Sequence, residues 1–290
     1  MQANEQKAYI AALEWHLEQG ADEAMETAAV TERFQKLKDA AASEISRHEE
    51  SAQQQQPSAR GGIGTSATSS HAGSAYKIAG TQRLKEQALE LVSKVKSLEE
   101  LAKVIQEFDG LDVKKTATNF VFSDGNPDAK IMLVGEAPGA DEDRQGKPFV
   151  GVSGQLLDKI LACIDLDRHQ EISEKSIYIS NILNWRPPGN RTPTPQEMEI
   201  SKPFIEKHIE LVNPDYLIFC GGVAAQTLLH TKDSISRLRG KVHDYKPHMI
   251  NSSNVISAIA TYHPAYLLRT PSQKAKVWQD MLFFQQIRLA

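Results

Sequence analysis

Asn181, His263, Phe149, Glu136 and Glu142 are the side chains of this chain best suited to act on a flat, hydrogen-bonding ring. An Asn amide presents donors and an acceptor side by side, which matches the edge of a pyrimidine carbonyl-imide. Phe149 offers a face on which a base can stack, and His263 can hold charge that develops on a departing oxygen. Arg186, Arg191, Lys241 and Arg269 are cations of the kind that hold backbone phosphates. Together these types suit chemistry on a base taken out of its stack. Each also has a plainer role. Asn181 can cap a turn, His263 before a proline can be a turn residue, Phe149 can be core, and Glu142 with Asp143 can be a solvated face.

Their placement favours the sharper reading. An apolar run, Ile131 to Val134, leads into a loop rich in glycine and acid, Gly135 to Gly154, and then into the apolar-periodic Leu156, Leu157, Ile160 and Leu161. That is strand, loop, helix. Three more apolar runs end in unusual loops: 181–195, with Arg186-Pro-Pro-Gly-Asn-Arg191; Cys220-Gly-Gly; and 261–269, with His263 and Arg269. In an open parallel sheet such ends converge on one edge, where ligands bind. Gly139 to Lys147 is a near miss for a phosphate-binding loop. Six residues separate its glycines, Pro148 stands where Ser or Thr would bind magnesium, and acids there would repel phosphate.

The elements that must position these loops alternate. Helices are expected near 82–94, 97–107, 154–164, 196–211, 223–229 and 273–288. Strands are expected at 120–122, 130–134, 176–181, 215–219 and 255–261. This predicts a three-layer α/β/α fold around a parallel sheet. Residues 4–19 and 26–48 read as helices of an N-terminal extension spanning 1–48. Residues 49–76, rich in Gln, Ser, Gly and Ala, read as a disordered linker, because they bury too little to offset ordering entropy. The folded domain is then 77–290.

Composition narrows the class. The chain is 40% hydrophobic and 24% charged, as a soluble protein is. Its two cysteines, Cys163 and Cys220, cannot form a cysteine metal site or a disulfide framework. No apolar run approaches the roughly 18 residues of a membrane helix, so a cytoplasmic protein is expected. The net charge of −4 resides in the first 80 residues, with 11 acids against 7 Lys or Arg, and the rest is neutral. Any nucleic-acid contact should therefore come from local patches.

From about Ala117 to Leu289 the chain resembles the family-4 uracil-DNA glycosylases. The motifs are GEAPGADEDRQGKPFVGVSGQLL, YISNILNWRPPGNRTPTPQE and YHPAYLLR. The resemblance implies a central four-stranded parallel sheet and excision of uracil from DNA, leaving an abasic site. It makes Phe149 the stacking aromatic, Asn181 the uracil reader and His263 the leaving-group partner. Ala137 occupies the place where better-known relatives offer an Asp, so Glu136 or Glu142 remains to orient the water. Arg237-Leu-Arg239-Gly240-Lys241 resembles a loop that enters the DNA. The family's iron-sulfur cluster needs four cysteines, whose positions here are Phe108, Leu111, Trp185 and Ser201; no cofactor and no metal are expected. Trp185 runs directly into Arg186, without the insert of a branch that traps DNA covalently, so turnover is expected. A monomer is expected, with residues 1–48 available to a protein partner.

Overall fold

The computed structural model describes residues 70–250 and 255–289. The helices expected over 4–19 and 26–48, and most of the linker, lie outside them.

The parallel sheet forms as the apolar runs require. β2 (Ile131–Gly135), β3 (Tyr178–Asn181), β4 (Tyr216–Cys220) and β6 (Ile256–Thr261) pair in parallel. Two short strands extend it with antiparallel pairing: β1 (Ser123–Gly125) against β3, and β5 (Val242–Tyr245) against β6. The six strands run in the order β1-β3-β2-β4-β6-β5. No strand was expected at β5, which is only four residues long and has His243 and Asp244 between its apolar ends. The strand expected at 120–122 falls instead at 123–125.

Helices cover both faces. On one, α5 (Pro195–Val212) and α6 (Gly222–Leu228) pack Met198, Ile205, Ile209, Ala224 and Leu228 against Met132, Val134, Leu217, Phe219 and Ala258. On the other, α4 (Val152–Ala162) and α9 (Lys274–Leu289) bring Leu157, Ile160, Leu161, Val277 and Met281 to Leu133 and Ile218. Alternate strand residues thus face opposite layers, as a sheet buried on both sides demands. α5 starts with Thr194, which accepts the N–H of Glu197 at 3.2 Å while Glu197 accepts the Thr194 N–H at 2.7 Å, a reciprocal cap. The first helix of the described residues, α1, spans Ser70–Val92 rather than 82–94, taking in the last residues of the segment read as linker. It packs Ala88 and Val92 with Leu101 and Ile105 of α2 (Leu98–Glu107).

Short helices occupy the loops themselves: α3 (Ala140–Gln145), α7 (Ile235–Leu238) and α8 (Pro264–Arg269). α3 is closed at its start by Glu142, which accepts the Gly139 N–H at 3.1 Å. The connections after β2 and β4, neighbours in the sheet, go to opposite faces. Ligands bind at the carboxyl ends of strands at such a switch point.

Candidate active site

A cleft of about 610 Å³ opens at this edge. Glu136 and Ala137 enter it from the end of β2, Asn181 from the end of β3 and His263 from the end of β6. Glu142 and Phe149 line it from the glycine-acid loop, and Arg191 and Arg269 stand at its wall. The convergence expected from the loop sequences is present.

Asn181 is 2% exposed, and its Oδ1 has no hydrogen-bond partner among the described residues. A buried, unpaired carbonyl costs about 1–3 kcal/mol. Gly135 makes its position possible. The two residues are register partners, and a Cβ on Gly135 would overlap Asn181 Oδ1 and come 2.6 Å from Phe149 Cζ. Only glycine admits both side chains.

Phe149 is 4% exposed and adopts φ 52°, unusual for an aromatic residue. Its ring lies 5.3 Å from that of His263 at 28°. His263 precedes α8, and its Nδ1 accepts the Ala265 N–H at 3.1 Å. Burial drives its pKa down to about 4 from the usual 6.5, and the Arg269 cation lowers it further, against the opposing pull of Glu142. The imidazole is therefore neutral at pH 7. With Nδ1 accepting, its proton sits on Nε2, the remaining donor.

The two acids separate. Glu142 is 8% exposed and fully engaged by backbone: Oε2 takes Gly139 N–H, and Oε1 takes Val150 and Gly151 N–H, each at 3.0 Å. Asp143 likewise takes Thr118 and Asn119 N–H, at 2.8 and 3.0 Å. Both fix the loop. Glu136 is half-buried in the cleft, and burial raises its carboxyl pKa.

The basic residues are not equivalent. Arg191 lines the cleft, paired with Glu197 at 2.7 Å. Arg269 lines it too and is exposed. Arg186 lies behind, bonding Asn190 at 2.7 Å and 3.8 Å from Asp143. Lys241 is exposed at the start of β5. Arg239 points inward instead. Nε lies 3.1 Å and Nη2 2.8 Å from the Asp280 carboxylate, Nη2 also donates to the Lys276 carbonyl at 2.5 Å, and the guanidinium sits 5.8 Å over Tyr262. Asp280, on α9, also accepts Thr261 Oγ1–H at 2.8 Å. Arg239 thus braces the turn rather than reaching out of it. Nothing in its local sequence announces a partner 41 residues away.

The comparisons with known proteins bear on this geometry. Residues 122–282 match the uracil DNA glycosylase superfamily, a span that contains every cleft residue named above. The chain belongs to the uracil-DNA glycosylase superfamily. It is similar to the type-4 uracil-DNA glycosylase of Archaeoglobus fulgidus, at 37% identity over 64% of this chain and 90% of that one. The Thermotoga maritima type-4 enzyme is 39% identical over 55% of this chain and 77% of its own. A type-5 enzyme of Thermus thermophilus matches at 31% over 36% of this chain and 52% of its own.

Family-4 glycosylases bring an expectation of an iron-sulfur cluster, and the residues here do not fit one. Phe108, Leu111 and Trp185 are 4, 4 and 6% exposed and belong to one apolar cluster with Phe204. Phe108 meets Phe204 edge-on at 5.1 Å, and Trp185 packs on Phe120 at 5.0 Å. Ser201 is 2% exposed. Aromatic and aliphatic side chains offer no thiolate to iron. Cys163 caps the C-terminus of α4 and Cys220 ends β4, each with its thiol pKa raised by burial, the reverse of what ligation needs.

Proposed function

We propose that this glycosylase hydrolyses the N-glycosidic bond of deoxyuridine in DNA, releasing uracil and leaving an abasic site. The observation that carries the proposal is the buried Asn181 Oδ1 without a partner beside Phe149 and His263. Oδ1 accepts the uracil N3–H and Nδ2 donates to O4. Cytosine reverses that pattern and leaves buried groups unpaired, at about 1–3 kcal/mol each. Phe149 stacks on the base.

The C1′–N1 bond breaks with its electron pair staying on uracil, while the sugar gains oxocarbenium character. Charge collects on uracil O2, where the Nε2–H of His263 meets it. A neutral donor stabilises such an oxyanion without giving up its proton. Water then adds to C1′, and the proton it loses goes through solvent to the departed uracil anion, giving neutral uracil and the C1′ hydroxyl of the abasic site. Glu136 orients that water, since the Glu142 oxygens are occupied by backbone N–H groups. Arg191 and Arg269 hold phosphates at the cleft wall.

We further propose that the chain carries no iron-sulfur cluster, its place being packed by Phe108, Leu111 and Trp185. Iron analysis of the purified chain should find none; stoichiometric iron would refute this. The activity is tested by incubating the full chain with uracil-containing and cytosine-containing strands and measuring abasic sites. Release confined to uracil supports the reading. No release overturns it.

A further inference from the structure

Arg168 lies outside the cleft, between α4 and β3. Its side chain is 3% exposed. Nε and Nη2 bond Asp158 Oδ1 at 2.9 and 2.6 Å, and Nη1 reaches Asp124 Oδ2 at 3.3 Å. A buried cation is retained only when paired, and these two carboxylates pair it. The rest of the fork is spent on backbone. Nη1 donates to the Pro148 carbonyl at 2.9 Å and Nη2 to the Phe149 carbonyl at 3.0 Å.

The other side of the same segment is held by the opposite charge, since Glu142 Oε1 accepts the next two N–H groups, of Val150 and Gly151, at 3.0 Å each. Between these clamps Phe149 keeps φ 52°. A non-glycine residue stays in that region only where its surroundings over-determine it. Gly154 completes the fit, because a Cβ there would run into the Phe149 carbonyl.

We infer that Arg168 is a positioning residue for base excision: it grips the carbonyls of Pro148 and Phe149 so that the Phe149 ring stands beside His263 as the stacking wall of the base pocket. The inference rests on the glycosylase reading. Lys cannot replace it, since a single ammonium cannot reach two successive carbonyls and a carboxylate as a planar fork does.

The test is a double-mutant cycle read by single-turnover excision with enzyme in excess. Arg168→Lys in the full chain should slow uracil release by about 10–10²-fold, the scale of a misplaced reacting partner. In a Phe149→Leu background the same change should cost under about 3-fold, because contacts in one unit are not additive. Equal slowing in both backgrounds would make Arg168 merely structural and overturn the inference, as would wild-type rate in a folded Arg168→Lys. Should Arg168→Lys not fold, Asp158→Asn removes one arm from a side chain already 47% exposed. It should slow release a few-fold with Phe149 and not with Leu; equal slowing again overturns the inference. A wild-type chain that releases no uracil overturns the glycosylase reading and this one with it.

Discussion

Gly135 and Asn181 face one another in parallel register at the ends of β2 and β3, and the missing side chain of the first is the space filled by the second. Gly135→Ala should therefore push Asn181 and the Phe149 ring out of place. Overpacking of this kind costs about 1–3 kcal/mol. The damage should fall on the pocket more than on the fold: uracil release should drop by at least about 10²-fold while the Tm falls only by several degrees. Single-turnover rates and thermal melts of the variant check this.

His263→Ala should slow release by about 10²–10³-fold, as loss of one oxyanion donor does, with DNA affinity nearly unchanged. A parallel fall in binding would make the histidine structural. The wild-type pH profile checks the same residue. Since His263 is held to about 4, its Nδ1 should stay unprotonated below the usual 6.5 and keep accepting the Ala265 N–H, so no acid limb should appear near 6.5. Stability should behave differently. His208, fully buried and driven to about 3 by desolvation, and His263 both bind fewer protons folded than unfolded. Their contribution is complete above about 6.5 and is lost as pH falls toward 4 and then 3. Melts between pH 7 and 4 should show the decline.

Arg239→Ala should act on stability. It leaves the Asp280 carboxylate, 1% exposed, without its cation. Breaking such a pair costs on the order of 3 kcal/mol, so the Tm should drop clearly. A residue that only touched phosphate would instead weaken DNA binding and reduce its salt dependence. Melts and salt-titrated binding of the one variant distinguish the two.

The sheet and its site were readable for the same reason. Four apolar runs followed by helices dictate parallel strands, and parallel strands bring Glu136, Asn181 and His263 to one edge. What stayed hidden depends on contacts far apart in sequence. The β5 strand is four residues long, two of them polar, and pairs with the edge that β6 offers. Arg168 looks like any surface arginine until Asp124, Asp158 and two carbonyls close around it. Arg239 and Lys241 share one short basic segment, yet only the first turns inward to Asp280. Glu136 and Glu142 were indistinguishable as acids. The backbone N–H groups that occupy Glu142 come from a loop whose shape depends on Phe149 and Gly151.

On the proposed reading, the unpaired Asn181 carbonyl accepts the N3–H of uracil. The most direct measurement is single-turnover release of uracil from DNA by the wild-type chain and by Asn181→Ala, with a cytosine strand as control. The wild type should release uracil and leave cytosine in place, and Asn181→Ala should lose most of that release, with the Tm unchanged or higher because a buried unpaired group is gone. Asn181→Ala that still releases uracil at near wild-type rate would contradict it.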